Sequence, residues 1–192
     1  MKGNQSELGE GLYDPRAVAN LILDVIHRPV TNLALQKLLY FLHGAYLLRS
    51  KKALVTGYFE AWTYGPVHPA VYSAFKEFEG TGITSRATKK DLRTGEISEI
   101  QAPIEPELLK FTRKTIHSLE DLTAGQLVTL SHARDGPWDM VYKRSKNEHM
   151  LGLRISNEAI RDRYKNHWFS ADRLEMVDEP TEDTPLTYHR FG

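Results

Sequence analysis

The 192-residue sequence contains no cysteine. That absence excludes a disulfide framework, thiolate catalysis and cysteine-ligated zinc, and it fits a reducing compartment. Charge of one sign is also missing. Twenty-five basic residues balance twenty-five acidic ones, so the basic excess of a dedicated nucleic-acid binder is not present and nucleic acid is disfavoured as a partner. No apolar run approaches the roughly 20 residues that a membrane-spanning helix needs. The polar start, Met1 to Glu10, lacks the apolar core of a secretory leader. The expectation is a soluble, cytoplasmic protein with no membrane association.

Two motifs of reactive chemistry are missing as well. The eight histidines stand at 27, 43, 68, 117, 132, 149, 167 and 189. No two lie three to five apart, so no helical zinc pair shares a face. Gly80-Thr-Gly82 and Gly9-Glu-Gly11 lack the further glycine and lysine of a phosphate-cradling loop. No metal and no cofactor is expected.

What is present is a succession of helix signals. Asp14-Pro15 supplies an N-cap and a proline at the first helical position, with Val18, Leu21, Ile22, Val25 and Ile26 as an apolar stripe ending at Arg28-Pro29. Thr31 or Asn32 caps a second helix to about Arg49, carrying Leu35, Leu38, Leu39, Leu42 and Tyr46 at helical spacing. The two pack as a hairpin. Residues 51–67 read as a connector with a short extended piece at Leu54-Val-Thr, closed by the fixed turn Tyr64-Gly65-Pro66. His68-Pro69 opens a third helix with Val71, Tyr72, Phe75 and Phe78 apolar. Further helices start at Glu105-Pro106, at Thr123, at Gly136-Pro137-Trp138 (ending near Arg144) and at Ser156.

Between Ile83 and Pro103 the apolar periodicity dissolves. Thr94-Gly95 fits a hairpin turn between short polar strands, and a surface loop fits the same letters. The fold class is therefore mainly α. It is a compact single-domain helical bundle over residues 13–170, with a short β-hairpin around 83–103. Residues 1–12 read as a flexible N-terminus. Residues 171–192 read as an acidic, poorly ordered tail, with Asp178-Glu-Pro-Thr-Glu-Asp-Thr-Pro185 at its centre.

Few residues carry candidate chemistry. His132 with Asp135 is the best catalytic-looking pair, because a carboxylate can orient an imidazole for proton transfer. Ser131 beside it points to another face of the helix and cannot meet His132 there. The competing reading has His132 and Asp135 satisfying backbone groups and fixing the Gly136-Pro137 turn, and it is preferred; no catalytic residue is assigned. Trp62, Tyr64, Tyr72 and Trp138 serve either as core or as contact anchors. The core reading is preferred for Trp62 and Trp138, and Tyr64 is left open. Lys143, Arg144, Lys146, Arg154, Arg161, Arg163 and Lys165 make a basic segment interleaved with Tyr142, Tyr164 and Trp168. A solvated face explains it, and it also suits stacking on bases or an acidic partner. A buried helix feeding a rigid aromatic turn, with no reactive set beside it, indicates a recognition module.

Four segments carry a resemblance. They are Ala19-Asn20; Thr31-Asn-Leu-Ala-Leu-Gln-Lys-Leu-Leu-Tyr-Phe41; Glu60-Ala-Trp-Thr-Tyr-Gly-Pro-Val67 with Val71-Tyr72; and Leu130-Ser-His-Ala-Arg-Asp-Gly-Pro-Trp138 with Ile155-Ser156. In this order and spacing they resemble the Panacea domain, the SocA-like antitoxin family related to phage-associated GepA proteins. The resemblance spans about residues 13–168. It implies a mainly helical antitoxin that binds a cognate protein toxin, encoded by a neighbouring gene, and a branch of the family hands its toxin to a cytosolic protease. Some relatives carry an extra DNA-binding domain, for which this chain has no room. Partner-binding or scaffold-turn candidates are Trp62, Tyr64, Gly65, Pro66, His132, Asp135, Pro137 and Trp138.

Overall fold

The computed structural model describes residues 11–78, 80–148 and 153–169, without the side chains of 145–148 and 169. Its elements begin where the capping chemistry puts them. Helix α1 is Pro15–Val25, and the Asp14 carboxylate accepts from the Arg16 amide. Helix α2 is Asn32–Ser50, with the Thr31 hydroxyl accepting from Ala34 N. It ends on Lys51, whose backbone is left-handed (φ 59°) and whose N–H returns to the Leu47 carbonyl. Helix α2 is the axis of the molecule. Almost every residue from Asn32 to Gly44 is buried, polar ones included. A helix buried on all sides needs neighbours all round, and α2 packs against α1 and against several of the elements described below.

Residues 51–67 correct the sequence reading. From Phe59 on they are paired strands, and the turn lies between the strands. Phe59–Trp62 forms β1 and Gly65–Val67 forms β2, an antiparallel pair. Thr63 and Tyr64 turn between them. Arg154–Ile155 adds β5 to the other edge of β1, giving the order β2-β1-β5. The extended piece at Leu54-Val-Thr exists as one parallel bridge from Val55 to Tyr13. These strands escaped notice because they are only two to four residues long. Moreover, β1 is buried on both faces, so no alternation of apolar and polar residues marks it.

Helix α3 is Pro69–Phe75, continued by a 3-10 turn at Lys76–Phe78. The segment 83–103 is a hairpin. Thr88–Lys90 (β3) pairs with Ile97–Glu99 (β4), and both strands are exposed throughout. Its turn is held by Asp91, whose Oδ1 accepts from Arg93 N and Thr94 N, and by Gly95 at φ +75°. At its base the hairpin is tied to α1 by two side chains: Arg86 pairs with Asp24, and Asn20 closes the base itself. Asn20 on α1 donates to the Ala87 and Ile100 carbonyls (3.2 and 2.7 Å), and its Oδ1 accepts from Ala87 N at 2.9 Å.

Helix α4 is Pro106–His117, with Leu108, Thr112 and Ile116 inward. Helix α5, Ala124–Ser131, opens with a reciprocal capping box between Thr123 and Gln126. Helix α6 is Pro137–Glu148, a turn longer than the expected end near Arg144. Helix α7 is Asn157–Arg163, capped by Ser156, and a short α8, Asn166–Phe169, follows. Gly44 lets α7 approach α2: a methyl group there would sit 2.2 Å from the Tyr164 ring. The expected flexible N-terminus at 1–12 falls mostly, and the acidic tail at 171–192 wholly, outside the described residues.

Candidate functional site

Three of the four segments singled out in the sequence converge on one place, where β2 crosses α2 and the C-terminal end of α5; the fourth, Ala19-Asn20, stands at the hairpin base. Gly65 stands at φ +103°, a left-handed backbone that favours glycine. A methyl group on Gly65 would also lie 2.4 Å from Ser131 Oγ and 3.1 Å from Lys37 Cε. Both the backbone conformation and the close approach therefore require glycine here.

Lys37 is the residue that sequence reasoning missed. It sits between Gln36 and Leu38 on α2 and is completely buried. Its Nζ donates to the Pro66 carbonyl at 3.1 Å. The neighbouring Gln36 completes the polar seam: its Nε2 donates to Asn32 Oδ1, and its Oε1 accepts from His68 N at 2.9 Å. A lysine flanked by glutamine reads as solvent-facing, so no local signal marks its burial.

Trp62 and Trp138 are both buried. The Trp138 Nε1–H donates to the Trp62 carbonyl at 2.9 Å. The Trp62 Nε1–H donates to Glu60 Oε2, and its ring meets Tyr72 edge-on at 4.7 Å. Tyr64 is partly buried against the core. Pro137 starts α6 and is buried.

His132 lies flat on Trp138, with ring centroids 3.7 Å apart and planes 7° from parallel. Its Nε2 is buried with no hydrogen-bond partner. Burial first, and then the positive charge of Lys37, bring its pKa down to about 3, against a weaker opposing pull from Asp139. Ser131 does not face it; the Ser131 hydroxyl donates to the Val128 carbonyl. Asp135 does not hold His132 Nε2 either.

Asp135 works through its backbone. It takes a left-handed conformation at φ +58°. Its N–H donates to Asp139 Oδ2, and its carbonyl accepts from Arg163 Nη1 and Asn166 Nδ2 (3.2 and 2.8 Å). The Ser-His-Ala-Arg-Asp stretch thus ties α5, α6 and α7–α8 together. A base with a pKa near 3 is a weak proton acceptor at neutral pH, far from the range that general-base catalysis favours. The geometry gives shape and rigidity.

Three more histidines are buried as neutral rings. His167 Nδ1 donates to the Leu130 carbonyl, which leaves Nε2 to accept from the Tyr40 hydroxyl. His43 Nε2 donates to Asn157 Oδ1, and its Nδ1 accepts from Val55 N. His68 Nε2 donates to the Thr56 carbonyl. Burial lowers all three pKa values, to about 4 for His43 and His167. Of the aromatics in the basic segment, Tyr164 cannot stack on a base, because it is buried and its hydroxyl donates to the Phe41 carbonyl. Among the described residues no group of three or more histidines and carboxylates converges in a way that could hold a metal ion, and no helix is long and apolar enough to cross a membrane.

Comparison with known proteins gives the same grouping of segments a name. No solved structure matches this chain. The profile of the SocA-like antitoxin Panacea domain matches residues 35–139, from α2 into the start of α6. Antitoxin SocA of Caulobacter vibrioides (strain NA1000 / CB15N) is 39% identical over 175 residues, which cover 90% of this chain and 93% of that protein. The profile takes in most of α2, the Trp62–Pro66 turn and the His132–Trp138 junction, the relative covers nine-tenths of the chain, and the chain belongs to the SocA-like Panacea-domain antitoxin family.

Proposed function

We propose that this protein is a cytoplasmic antitoxin that neutralises a cognate protein toxin by direct binding, making and breaking no covalent bond. Its working unit spans residues 13–170. The observation that carries this reading is the likeness to Antitoxin SocA over nine-tenths of both chains. The interior supports it: the best acid–base pair in the sequence is split, with His132 stacked on an indole and Asp135 used as a backbone corner.

The contact surface is best sought on the hairpin, not on the buried turns. Leu92 is 97% exposed at its tip, Ile97 67% on β4, and Ile104 86% just beyond. Two large apolar side chains held in water on a short, exposed hairpin, with a third in the segment that follows it, suit a protein partner. Trp62, Pro66, Pro137 and Trp138, being buried, act as scaffold in this scheme, and specificity comes from the variable surface that the scaffold carries.

The test is co-expression with the product of the adjacent reading frame. That product is expected to be lethal alone, harmless with this chain, and recovered with it as a stable complex. Leu92→Asp with Ile97→Asp should weaken the complex by at least about tenfold, the scale of one lost interface anchor, without lowering the melting temperature. Rescue of growth with no complex formed, or turnover of a substrate by the purified protein, would overturn the proposal.

A further inference from the structure

A groove of about 640 Å³ runs between α2, α4 and the end of the described chain. Its floor is apolar, with Leu48, Phe111, Leu119 and Trp168; its rim is cationic, with Arg49, Lys110 and Lys114 against one carboxylate, Glu107, among the described residues. Leu48 is 38% exposed and Trp168 46%. The Arg49 guanidinium lies over the Phe111 ring, 5.2 Å from its centroid. An apolar trough edged by cations is shaped for a segment with apolar side chains and carboxylates.

Such a segment follows in the sequence. Trp168 lines the groove, and the described chain ends one residue later at Phe169. Residues 170–192 contain six acidic side chains against two arginines. The first part of that stretch, Leu174-Glu-Met-Val-Asp-Glu179, places Leu174, Met176 and Val177 among three carboxylates. Five residues of extended chain span up to about 17 Å, so Leu174 can reach the groove from Phe169. A tether this short gives an effective concentration in the millimolar range, so a weak contact suffices for occupancy.

We propose that the groove is the seat of residues 172–179 of this same chain, the apolar side chains on Phe111 and Trp168 and the carboxylates on Lys110, Lys114 and Arg49. A partner of the same chemistry would compete with the segment for this face. The inference is independent of the toxin-binding reading and survives or fails without it.

The absence of native cysteine makes disulfide trapping in the full chain unambiguous. Lys114→Cys is paired with Met176→Cys, and Leu92→Cys with Met176→Cys serves as the collision control. Expected is an intramolecular disulfide in the monomer that forms at least about tenfold faster for the first pair. Adding Lys110→Glu or 0.5 M salt should slow it toward the control, because exposed ion pairs are screened. Equal rates for the two pairs would overturn the proposal. Exclusively intermolecular disulfides would also overturn it, in favour of a second copy seated in the groove. The unmodified chain provides a second reading: in a salt titration followed by NMR, the Trp168 indole and the amides of 174–179 should shift with one midpoint. No shift of Trp168 would count against the seat.

Discussion

The indole N–H of Trp138 reaches across 76 residues to the main-chain carbonyl of Trp62, at 2.9 Å. This bond fastens the start of α6 to the end of β1, and both partners are buried. Each tryptophan therefore belongs to the frame of the molecule, and disturbing one should be felt at the other.

Trp138→Phe keeps much of the stacking on His132 and removes the donor. The Trp62 carbonyl is then buried without its partner, at a cost of about 1–3 kcal/mol. A lower urea midpoint with an unchanged denaturant slope is expected. An unchanged midpoint would mean that the carbonyl finds water or another donor.

Gly65 and Gly95 share a positive φ but differ in surroundings. A methyl group on Gly95 meets nothing within 4 Å, whereas on Gly65 it meets Ser131 and Lys37. Gly95→Ala should cost only the backbone term, about 1–2 kcal/mol. Gly65→Ala should cost clearly more, and adding Ser131→Gly should recover part of the excess without restoring wild-type stability. Thermal unfolding of the three variants checks the order.

Acid should unfold this protein through its buried imidazoles. His43, His132 and His167 protonate near pH 6.5 when unfolded, but only near 4, 3 and 4 when folded. Below pH 6.5 the unfolded chain binds more protons, so the stability present above that pH is lost as pH falls toward 4. The slope approaches about 1.4 kcal/mol per pH unit for each ring. Urea titrations between pH 4.5 and 7.5, with calorimetric proton uptake on unfolding, should show roughly three protons at pH 5 and close to none from these rings at pH 8. A flat stability profile from pH 7 to 5 would contradict the neutral, buried assignment.

Asn20→Ala should loosen one element more than the rest. It leaves the buried Ala87 N–H and two carbonyls without the side chain that closes them. A loss of roughly 2 kcal/mol or more is expected. Hydrogen exchange at Ala87 and proteolysis within 83–103 should quicken disproportionately. Uniform destabilisation with no local opening would show that the hairpin base is secured elsewhere.

The start of nearly every long helix was legible in the sequence, because capping is a local contract between a side chain and amides two or three residues on. Asp14, Thr31, Thr123 and Ser156 each accept the bond their chemistry offers. Thr94-Gly95 fitted a hairpin turn and a surface loop alike; the structure has the hairpin, with Asp91 as the acceptor that holds its turn. The resemblance to the SocA-like family was legible for a related reason: the motifs that carry it, Trp62–Pro66 and Ser131–Trp138, are the corners where elements cross.

What tertiary structure alone decided is everything that depends on a distant neighbour. β5 is two residues long and exists only because Phe59 and Glu60 lie beside it. Lys37 is buried only because β2 and α5 close over a helix whose own sequence gives that position a charge. His132 and Asp135 looked like a proton-transfer pair because they are close in sequence; packing sent one onto an indole and the other into a left-handed corner. Backbone propensity and capping act over a few residues and are written in the chain. Burial, orphaned nitrogens and the pKa values they set are properties of enclosure, and enclosure exists only once the whole chain has folded.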